Sequence, residues 1–264
     1  MIATDIGTAA PSPAEVYDAR FVPALFAQWA PTVLDCADVR GGQHVLDVAC
    51  GTGVLARAAA DRVGPQGQVF ALDASPEMLA VARRHAEAIT WREARAESIP
   101  FPDSRFDRVV SQFGMMFFDD PVAALREMRR VCRARGRIAV AVCDALDHCA
   151  GYAVLAELLH RLFGPGVADA FRAPFALGDR ARLLALARSA GLDQAEVSVH
   201  SGTVRFASID DLVGAERACA WTLGGLLDEA QLDTLLAEAR VSLRPYADAD
   251  GRVTFDMPAL LLSA

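Results

Sequence analysis

The centre of the chain alternates regularly between short apolar runs and amphipathic helical runs, and this alternation is the feature that most constrains the fold. Strands separated by helical periods of ten or more residues form right-handed βαβ units and hence a parallel sheet. The runs VLDVA and RIAVAVC barely alternate in polarity, as expected for strands covered on both faces. The predicted strands are 44–49, 68–72, 90–94, 106–112 and 136–143, and the predicted helices are 53–63, 76–89 and 121–132.

The two flanks of this α/β centre read differently. Segment 1–13 has the small-residue composition of a mobile N-terminus, and 14–39 has helical spacing interrupted by Pro23 and Pro31, which predicts two short helices. We expect one domain over 14–264, with its cofactor-binding half in 43–143 and a candidate substrate cap in 145–180 and 208–250. Predicted elements after the centre are helices at 151–163, 180–190 and 209–243, a strand at 194–199 and a final strand near the C-terminus.

Composition limits the class of protein and of partner. A net charge of -8 opposes the phosphate attraction that supplies most nucleic-acid affinity, so no nucleic-acid partner is expected. The six cysteines show no paired CxxC spacing, which predicts no metal site and a reducing compartment. With no signal-like segment and no apolar stretch of about 18 residues, we expect a soluble, cytoplasmic protein without a membrane span.

The motif VLDVACGTGVLA, residues 45–56, marks the candidate ligand site. An apolar strand carries Asp47 and turns through Gly51 and Gly53 into a helix, and the glycines let a ligand approach the backbone closely. Asp73 ends the next strand about 20 residues later, the position from which a carboxylate meets ribose hydroxyls in such folds. Ligands of open α/β sheets bind at the carboxyl ends of the strands, so these side chains should converge there.

The same turn, GTGVLA, also fits the dinucleotide fingerprint of a nicotinamide-dependent oxidoreductase. A dinucleotide places its pyrophosphate at the start of the helix, where a carboxylate just before the glycines would repel it. Asp47 instead suits a ligand with positive charge nearby. The motif therefore favours a cationic nucleoside over NAD(P).

Four ordered segments resemble the class I S-adenosylmethionine-dependent methyltransferases, in the group similar to the ubiquinone and menaquinone biosynthesis C-methyltransferases. The match runs from about residue 43 to 143. The resemblance implies a doubly wound, mostly parallel, seven-stranded Rossmann-like sheet with helical N-terminal and C-terminal cap elements, and S-adenosylmethionine as cofactor. The segments are VLDVACGTG, ALDASPEML, AESIPFPDSRFDRVVSQFGMMFFDDP and ALREMRRVCRARGRIAVAV.

The resemblance also implies a set of cofactor-binding residues, motif by motif. The first segment would surround the methionine part, and the second would hold the ribose and pack beside the adenine. The third would border the adenine edge with its first residues and close the remaining side of the cofactor with its later ones. These residues are Asp47, Ala49, Gly51, Thr52 and Gly53, then Asp73, Ala74 and Met78, then Ala96 and Glu97, and finally Gln112 and Phe113. Ala49 departs from the glycine of many members, and Gln112 with Phe113 disfavours an amine acceptor.

Methyl transfer from a sulfonium requires the protein mainly to align the acceptor, although a base near the strand ends can assist. We predict His148 as that base and Tyr152 as a substrate contact, with Tyr17 and Phe26 as a lid. Glu216 and Trp221, in the late helical segment, are candidates for shaping the acceptor pocket; the default interpretations are a salt-bridged surface glutamate and a packed tryptophan.

The sequence therefore predicts an S-adenosylmethionine-dependent methyltransferase of a small molecule, acting on oxygen or carbon rather than nitrogen. Two alternatives stay open at this point. The first is a protein of the same fold that binds the cofactor without methylating, as an enzyme or a binding module. The second is an NAD(P)-dependent oxidoreductase.

Overall fold

A computed structural model describes residues 11–219 and 222–264. Among these residues no helix is long and apolar enough to cross a membrane. The described strands are β1 (His44–Val48), β2 (Gln68–Asp73), β3 (Thr90–Glu93), β4 (Phe106–Gln112), β5 (Cys132–Cys143), β6 (Glu196–His200), β7 (Thr203–Phe206), β8 (Val253–Asp256) and β9 (Ala259–Ser263).

Helices precede, connect and follow these strands. A π-helical segment, Tyr17–Phe26, continues directly from the first helix. The described α-helices are α1 (Pro13–Val16), α2 (Trp29–Cys36), α3 (Val54–Val63), α4 (Pro76–His85), α5 (Pro121–Val131), α6 (Ala150–Phe163), α7 (Pro165–Arg172), α8 (Arg180–Ser189), α9 (Ile209–Ala218) and α10 (Glu229–Ser242).

The main sheet has seven strands in the order β3-β2-β1-β4-β5-β9-β6. Strands β1 to β5 pair in parallel, whereas β9 runs antiparallel to both β5 and β6. This arrangement confirms the predicted doubly wound, mostly parallel sheet. Strands β7 and β8 form a separate antiparallel pair that the sequence reading did not predict.

Two apolar layers cover the two faces of the sheet, because successive side chains of a strand point to opposite sides. Val45 belongs to the layer that contains Trp29 of α2 and Leu55 of α3. Leu46 belongs to the opposite layer, with Leu125 of α5. With both faces covered, the buried part of β1 carries a single polar side chain, Asp47, near the carboxyl end of the strand.

The predicted elements of the centre match the structure closely, with two boundary differences. Helix α4 ends at His85 rather than near residue 89, and β5 begins at Cys132 rather than 136. In the C-terminal part, the predicted helical stretch over 209–243 consists of two helices, α9 and α10. Asp228 and Gln231 form a capping box that starts α10, a signal that the sequence contains.

The N-terminal expectations need a similar correction. Residues 1–10 of the expected mobile segment lie outside the described residues, but Ser12 already caps α1 through a capping box with Glu15. Pro23 does not interrupt the chain, since it lies within the π-helical segment. Pro31 lies in the first turn of α2, where its missing N–H removes no hydrogen bond of the helix.

Candidate active site

A pocket of about 390 Å³ opens at the carboxyl edge of the sheet. Asp47 of β1, Asp73 of β2 and Gln112 of β4 line it, together with Cys143 at the end of β5. Both segments of the predicted substrate cap contribute lining residues too, among them Tyr152 of α6. The sequence motifs and the helical segments therefore meet around one cavity.

Asp47 is fully buried, and neither of its carboxylate oxygens has a hydrogen-bond partner among the described residues. Burial, followed by the neighbouring charge of Asp73, raises the pKa of Asp47 well above its ordinary value, and the nearby Ala56 N–H offsets part of the rise. A buried carboxylate without a compensating positive charge is costly. Since Asp47 lines the pocket, a cationic ligand bound there can supply that charge.

Asp73 lies in the same wall but is already held in place. Its Oδ2 accepts the Gly51 N–H at 2.8 Å, and its Oδ1 accepts the Ser75 N–H at 2.8 Å. Burial raises the pKa of Asp73, and these backbone hydrogen bonds offset part of the rise. Each carboxylate oxygen keeps a further lone pair, so Asp73 can still accept ligand hydroxyls.

The turn between β1 and α3 has an unusual backbone that brings it close to the pocket. Ala49, Gly51 and Gly53 all have positive φ angles, of 58°, 54° and 87°. Ala49 adopts this conformation although it has a Cβ atom. This Cβ has room only because residue 114 is a glycine and has no side chain. A Cβ at Gly114 would lie 2.5 Å from that of Ala49, so the two positions are matched.

Thr52 and Gly53 do not line the pocket, unlike the other predicted residues of this motif. Thr52 is buried, with its hydroxyl oxygen unpartnered among the described residues. Gly53 lies against Trp91, because a Cβ there would come within 2.5 Å of the indole ring. Both residues therefore belong to the turn beside the pocket without lining it.

The residues expected around the adenine lie on one side of the pocket. Ala74, Met78, Ala96 and Glu97 all line it. The Glu97 Oε1 accepts the backbone N–H groups of Asp119 and Asp120, which joins the end of the β3 region to the loop before α5. The two ends of the third motif are thereby held together at the pocket rim.

Gln112 and Phe113 close the pocket from the end of β4. The Gln112 Nε2 donates to the Phe26 carbonyl at 3.1 Å, while its Oε1 is buried without a described partner. Phe113 has a φ of 53° and packs against Phe26 and Trp29, with ring centroids 5.4 and 5.7 Å away. A bulky residue at positive φ persists only when its surroundings fix it, and such positions concentrate at functional sites.

The two predicted lid residues lie together over this region. Tyr17 and Phe26 stack with their ring centroids 5.3 Å apart, and both line the pocket. Gly51 lies beside the Tyr17 ring, since a Cβ at Gly51 would be 3.8 Å from Tyr17 Cε1. Burial raises the pKa of Tyr17, and the charges of Asp73 and Asp47 contribute, so its phenol stays neutral.

His148 does not reach the pocket, which corrects the prediction of a catalytic base at this position. Its side chain is 62% exposed, and Nδ1 lies 3.0 Å from Oδ2 of the buried Asp144. Asp144 also accepts the Ala145 N–H, so it fixes a short helical turn over Leu146–His148 that points the imidazole outward. The sequence placed the loop correctly after β5 but did not give its direction.

Tyr152, the predicted substrate contact, lines the pocket beside Glu216. Glu216 is 2% exposed and lines the same cavity, so the default of a salt-bridged surface glutamate is wrong, whereas its position agrees with the alternative of a pocket residue. It falls on the apolar stripe of α9, with Ile209, Leu212 and Val213. The helical spacing of these residues could have identified Glu216 as a buried residue from the sequence. A carboxylate on a buried helical stripe has to face a cavity or a partner. Trp221 lies outside the described residues.

Comparison with known proteins agrees with this geometry. A family model for the methyltransferase domain matches residues 45–136. A ubiquinone/menaquinone biosynthesis C-methyltransferase from Hahella chejuensis is 41% identical over 118 residues, which are 42% of this chain. The chain covers 47% of that relative, about half of its length. The chain carries a methyltransferase domain.

Two solved structures share the fold over most of the chain. One comes from Anabaena variabilis and is described as a methyltransferase from an antibiotic biosynthesis pathway. It has a TM-score of 0.65 at 15% identity, and the alignment covers 89% of this chain and 96% of that protein. The [4+2]-cyclase SpnF has a TM-score of 0.50 at 20% identity, covering 95% and 97%. At these identities the two structures support the class I methyltransferase fold alone. S-adenosylmethionine is the cofactor that this domain family implies.

Proposed function

We propose that this chain transfers the methyl group of S-adenosylmethionine to an oxygen or carbon atom of a small molecule. The observation that carries the proposal is the buried, unpartnered carboxylate of Asp47 at the pocket wall. S-adenosylmethionine carries a primary ammonium and a sulfonium. Either positive charge can compensate the negative charge of this buried carboxylate. A pyrophosphate at the same place would be repelled, which argues against the NAD(P) alternative.

The remaining lining residues fit the other parts of the cofactor. In this proposal Asp73 accepts the ribose hydroxyls, and Ala74, Met78, Ala96 and Glu97 border the adenine. Gly51 and Ala49 leave room for the methionine part, and the free Oε1 of Gln112 accepts a further donor. The cofactor supplies an activated methyl carbon with a neutral leaving group.

The chain's own contribution is alignment and the exclusion of water. Holding the acceptor in line with the reacting carbon can supply about 7–11 kcal/mol of the barrier without covalent catalysis. Tyr17 and Phe26 form an apolar cover over the turn at Gly51, which keeps water away from the strand ends. The localisation that we propose is cytoplasmic, which agrees with the buried thiols of Cys50, Cys132, Cys143 and Cys149.

Ligand-induced stabilisation tests the cofactor assignment, because a ligand that binds only the folded chain raises its unfolding temperature. We expect S-adenosylhomocysteine to raise the unfolding temperature and NADH to leave it unchanged. Stabilisation by NADH without stabilisation by S-adenosylhomocysteine would show that the pocket takes a dinucleotide.

A second candidate function, conversion of a small molecule without methyl transfer, is kept because the cyclase SpnF shares the fold over nearly the whole chain. Turnover separates the two. Formation of S-adenosylhomocysteine that depends on an added acceptor supports methyl transfer. Conversion of the acceptor without S-adenosylhomocysteine supports the second candidate.

A further inference from the structure

The part of the pocket formed by the cap segments has a different chemistry from the strand edge. Its walls are mostly apolar and aromatic, with Phe171 and Phe175 packed against Tyr152, and its polar groups are Glu216 and the hydroxyls of Tyr152 and Thr222. We call this part, lined by Tyr152, Phe171, Phe175, Glu216 and Met257, the cap end of the pocket. It is continuous with the wall that holds Asp47, so a molecule bound there is next to the cofactor region.

Glu216 is the polar feature of the cap end that packing does not explain. Its Oε2 is buried without a hydrogen-bond partner among the described residues. Burial raises the pKa of Glu216 to about 7, and interactions with the side chains of Thr222 and Tyr152 offset part of that rise. A leucine on this stripe of α9 would fill the space without the cost of burying a carboxyl group. The carboxylate is therefore suited to a ligand group.

The hydrogen-bonding groups around Glu216 limit the kind of ligand group that can bind there. The unpartnered Glu216 Oε2 can accept the hydrogen of a ligand hydroxyl. An ammonium would present three donors, whereas the hydroxyls of Tyr152 and Thr222, which also line the pocket, already interact with Glu216. The remaining neighbours, Phe171, Phe175 and Met257, have no side-chain oxygen, so a ligand group with a single donor fits best.

We propose that Glu216, with Tyr152 beside it, binds a neutral hydroxyl group of a largely apolar acceptor molecule. This inference rests on the proposed function, since it places the acceptor next to the cofactor region. The aromatic walls take the apolar body of the acceptor, and Glu216 orients it through one hydrogen bond. Recognition therefore depends on a donor that the acceptor must carry.

The test compares 2-naphthol, whose oxygen carries the donor hydrogen, with 2-methoxynaphthalene, in which a methyl group replaces that hydrogen; the Glu216 variants separate the loss of the donor from the added bulk of the methyl group. Their binding is measured by calorimetry at about pH 8, where Glu216 is ionised, with and without saturating S-adenosylhomocysteine. We expect the wild-type chain to prefer 2-naphthol by roughly tenfold or more, because hydrogen bonds to charged groups contribute that much. Glu216→Gln should reduce this preference strongly, and Glu216→Asp should reduce it through its shorter reach.

The matched control is Glu157→Gln, which removes an exposed carboxylate from α6 and should leave the preference unchanged. Equal binding of the two probes by the wild-type chain, no binding of 2-naphthol, or a preference that survives Glu216→Gln would each overturn the proposal. Tighter binding of 2-naphthylmethylammonium than of 2-naphthol would also overturn it. Should Glu216→Gln fail to fold, the wild-type probe comparison and Glu216→Asp still decide.

The two proposals fail in different ways. Loss of the proposed function appears as an absence of S-adenosylhomocysteine binding to the wild-type chain. Failure of the acceptor inference appears as normal S-adenosylhomocysteine binding together with no dependence of 2-naphthol binding on Glu216.

Discussion

The two ends of the pocket hold buried carboxylates that are built in opposite ways. At the strand edge, Asp73 is fixed by two backbone N–H groups, one of them from Gly51 in the turn that follows Asp47 and β1. At the cap end, Glu216 comes from α9 and meets Tyr152 of α6, more than sixty positions earlier in the chain. The strand edge is thus prepared by local backbone geometry, whereas the cap end depends on long-range helix packing.

This difference separates a general part of the site from a specific part. The strand edge can serve any reaction that uses the same cofactor, because its geometry comes from strand ends and one turn. The cap end has few backbone constraints, so its side chains can change without disturbing the sheet. We therefore expect substitutions at the two ends to differ in what they affect, and four predictions test this.

The largest expected effect is on the pH dependence of stability through Glu216. Below about pH 4.5 its carboxyl is protonated in both folded and unfolded chains, and stability is unaffected. As the pH rises toward 7, the unfolded chain ionises while the folded chain retains the proton, so stability is lost. Since each pKa unit corresponds to about 1.4 kcal/mol, Glu216→Gln should gain roughly 3 kcal/mol over wild type between pH 4.5 and 8.

Chemical denaturation of the cofactor-free chain across this pH range measures the effect. Glu157→Gln, on the exposed face of α6, should show a constant difference from wild type. A wild-type minus Glu216→Gln difference that does not change with pH would contradict a raised pKa for this group.

At the strand edge, Asp47→Asn and Asp73→Asn should have opposite effects on stability and the same effect on affinity. Each should weaken S-adenosylhomocysteine binding by about 1–3 kcal/mol, through a lost charge-assisted hydrogen bond. Without ligand, Asp47→Asn should stabilise the chain by removing an unpaired carboxylate, whereas Asp73→Asn should destabilise it by leaving a backbone donor unpaired.

Calorimetry and thermal unfolding measure the two quantities. Asp61→Asn, on the exposed surface of α3, serves as the control and should change neither. Unchanged affinity in Asp73→Asn would mean that the ribose lies elsewhere. A loss of ligand-free stability in Asp47→Asn would mean that this carboxylate has a partner in the folded chain.

The turn at Ala49 offers a test of shape at the strand edge. Gly114→Ala should destabilise the chain by about 1–3 kcal/mol, because its Cβ would lie 2.5 Å from that of Ala49. Ala49→Gly should restore most of the loss when combined with Gly114→Ala. A double-mutant cycle from denaturation curves measures the coupling, and additive effects would refute the contact.

The smallest expected effect is that of His148→Ala. Because the imidazole is 62% exposed and outside the pocket lining, its contact with Asp144 should contribute at most about 1 kcal/mol. S-adenosylhomocysteine affinity should be unchanged. A large loss of turnover with normal folding would restore His148 as a catalytic candidate.

The sequence by itself determined the sheet and the strand edge of the pocket. Alternating strands and helices fix a parallel sheet, and the turn after Asp47 is a local feature whose glycines and spacing can be read directly. The same locality made Asp73 predictable, since it ends the next strand. Thr52 and Gly53 were also placed correctly in this turn, although they face the protein core rather than the pocket.

Only the tertiary structure decided the cap end. The direction of His148 depends on a hydrogen bond to Asp144, and the role of Glu216 depends on which elements cover α9. Helical spacing shows that Glu216 lies on the buried stripe of α9. It does not show whether the side chain contacts other packed residues or lines a cavity. Local sequence specifies a turn or a strand end, whereas a pocket wall built from distant helices is set by the packing of the whole chain.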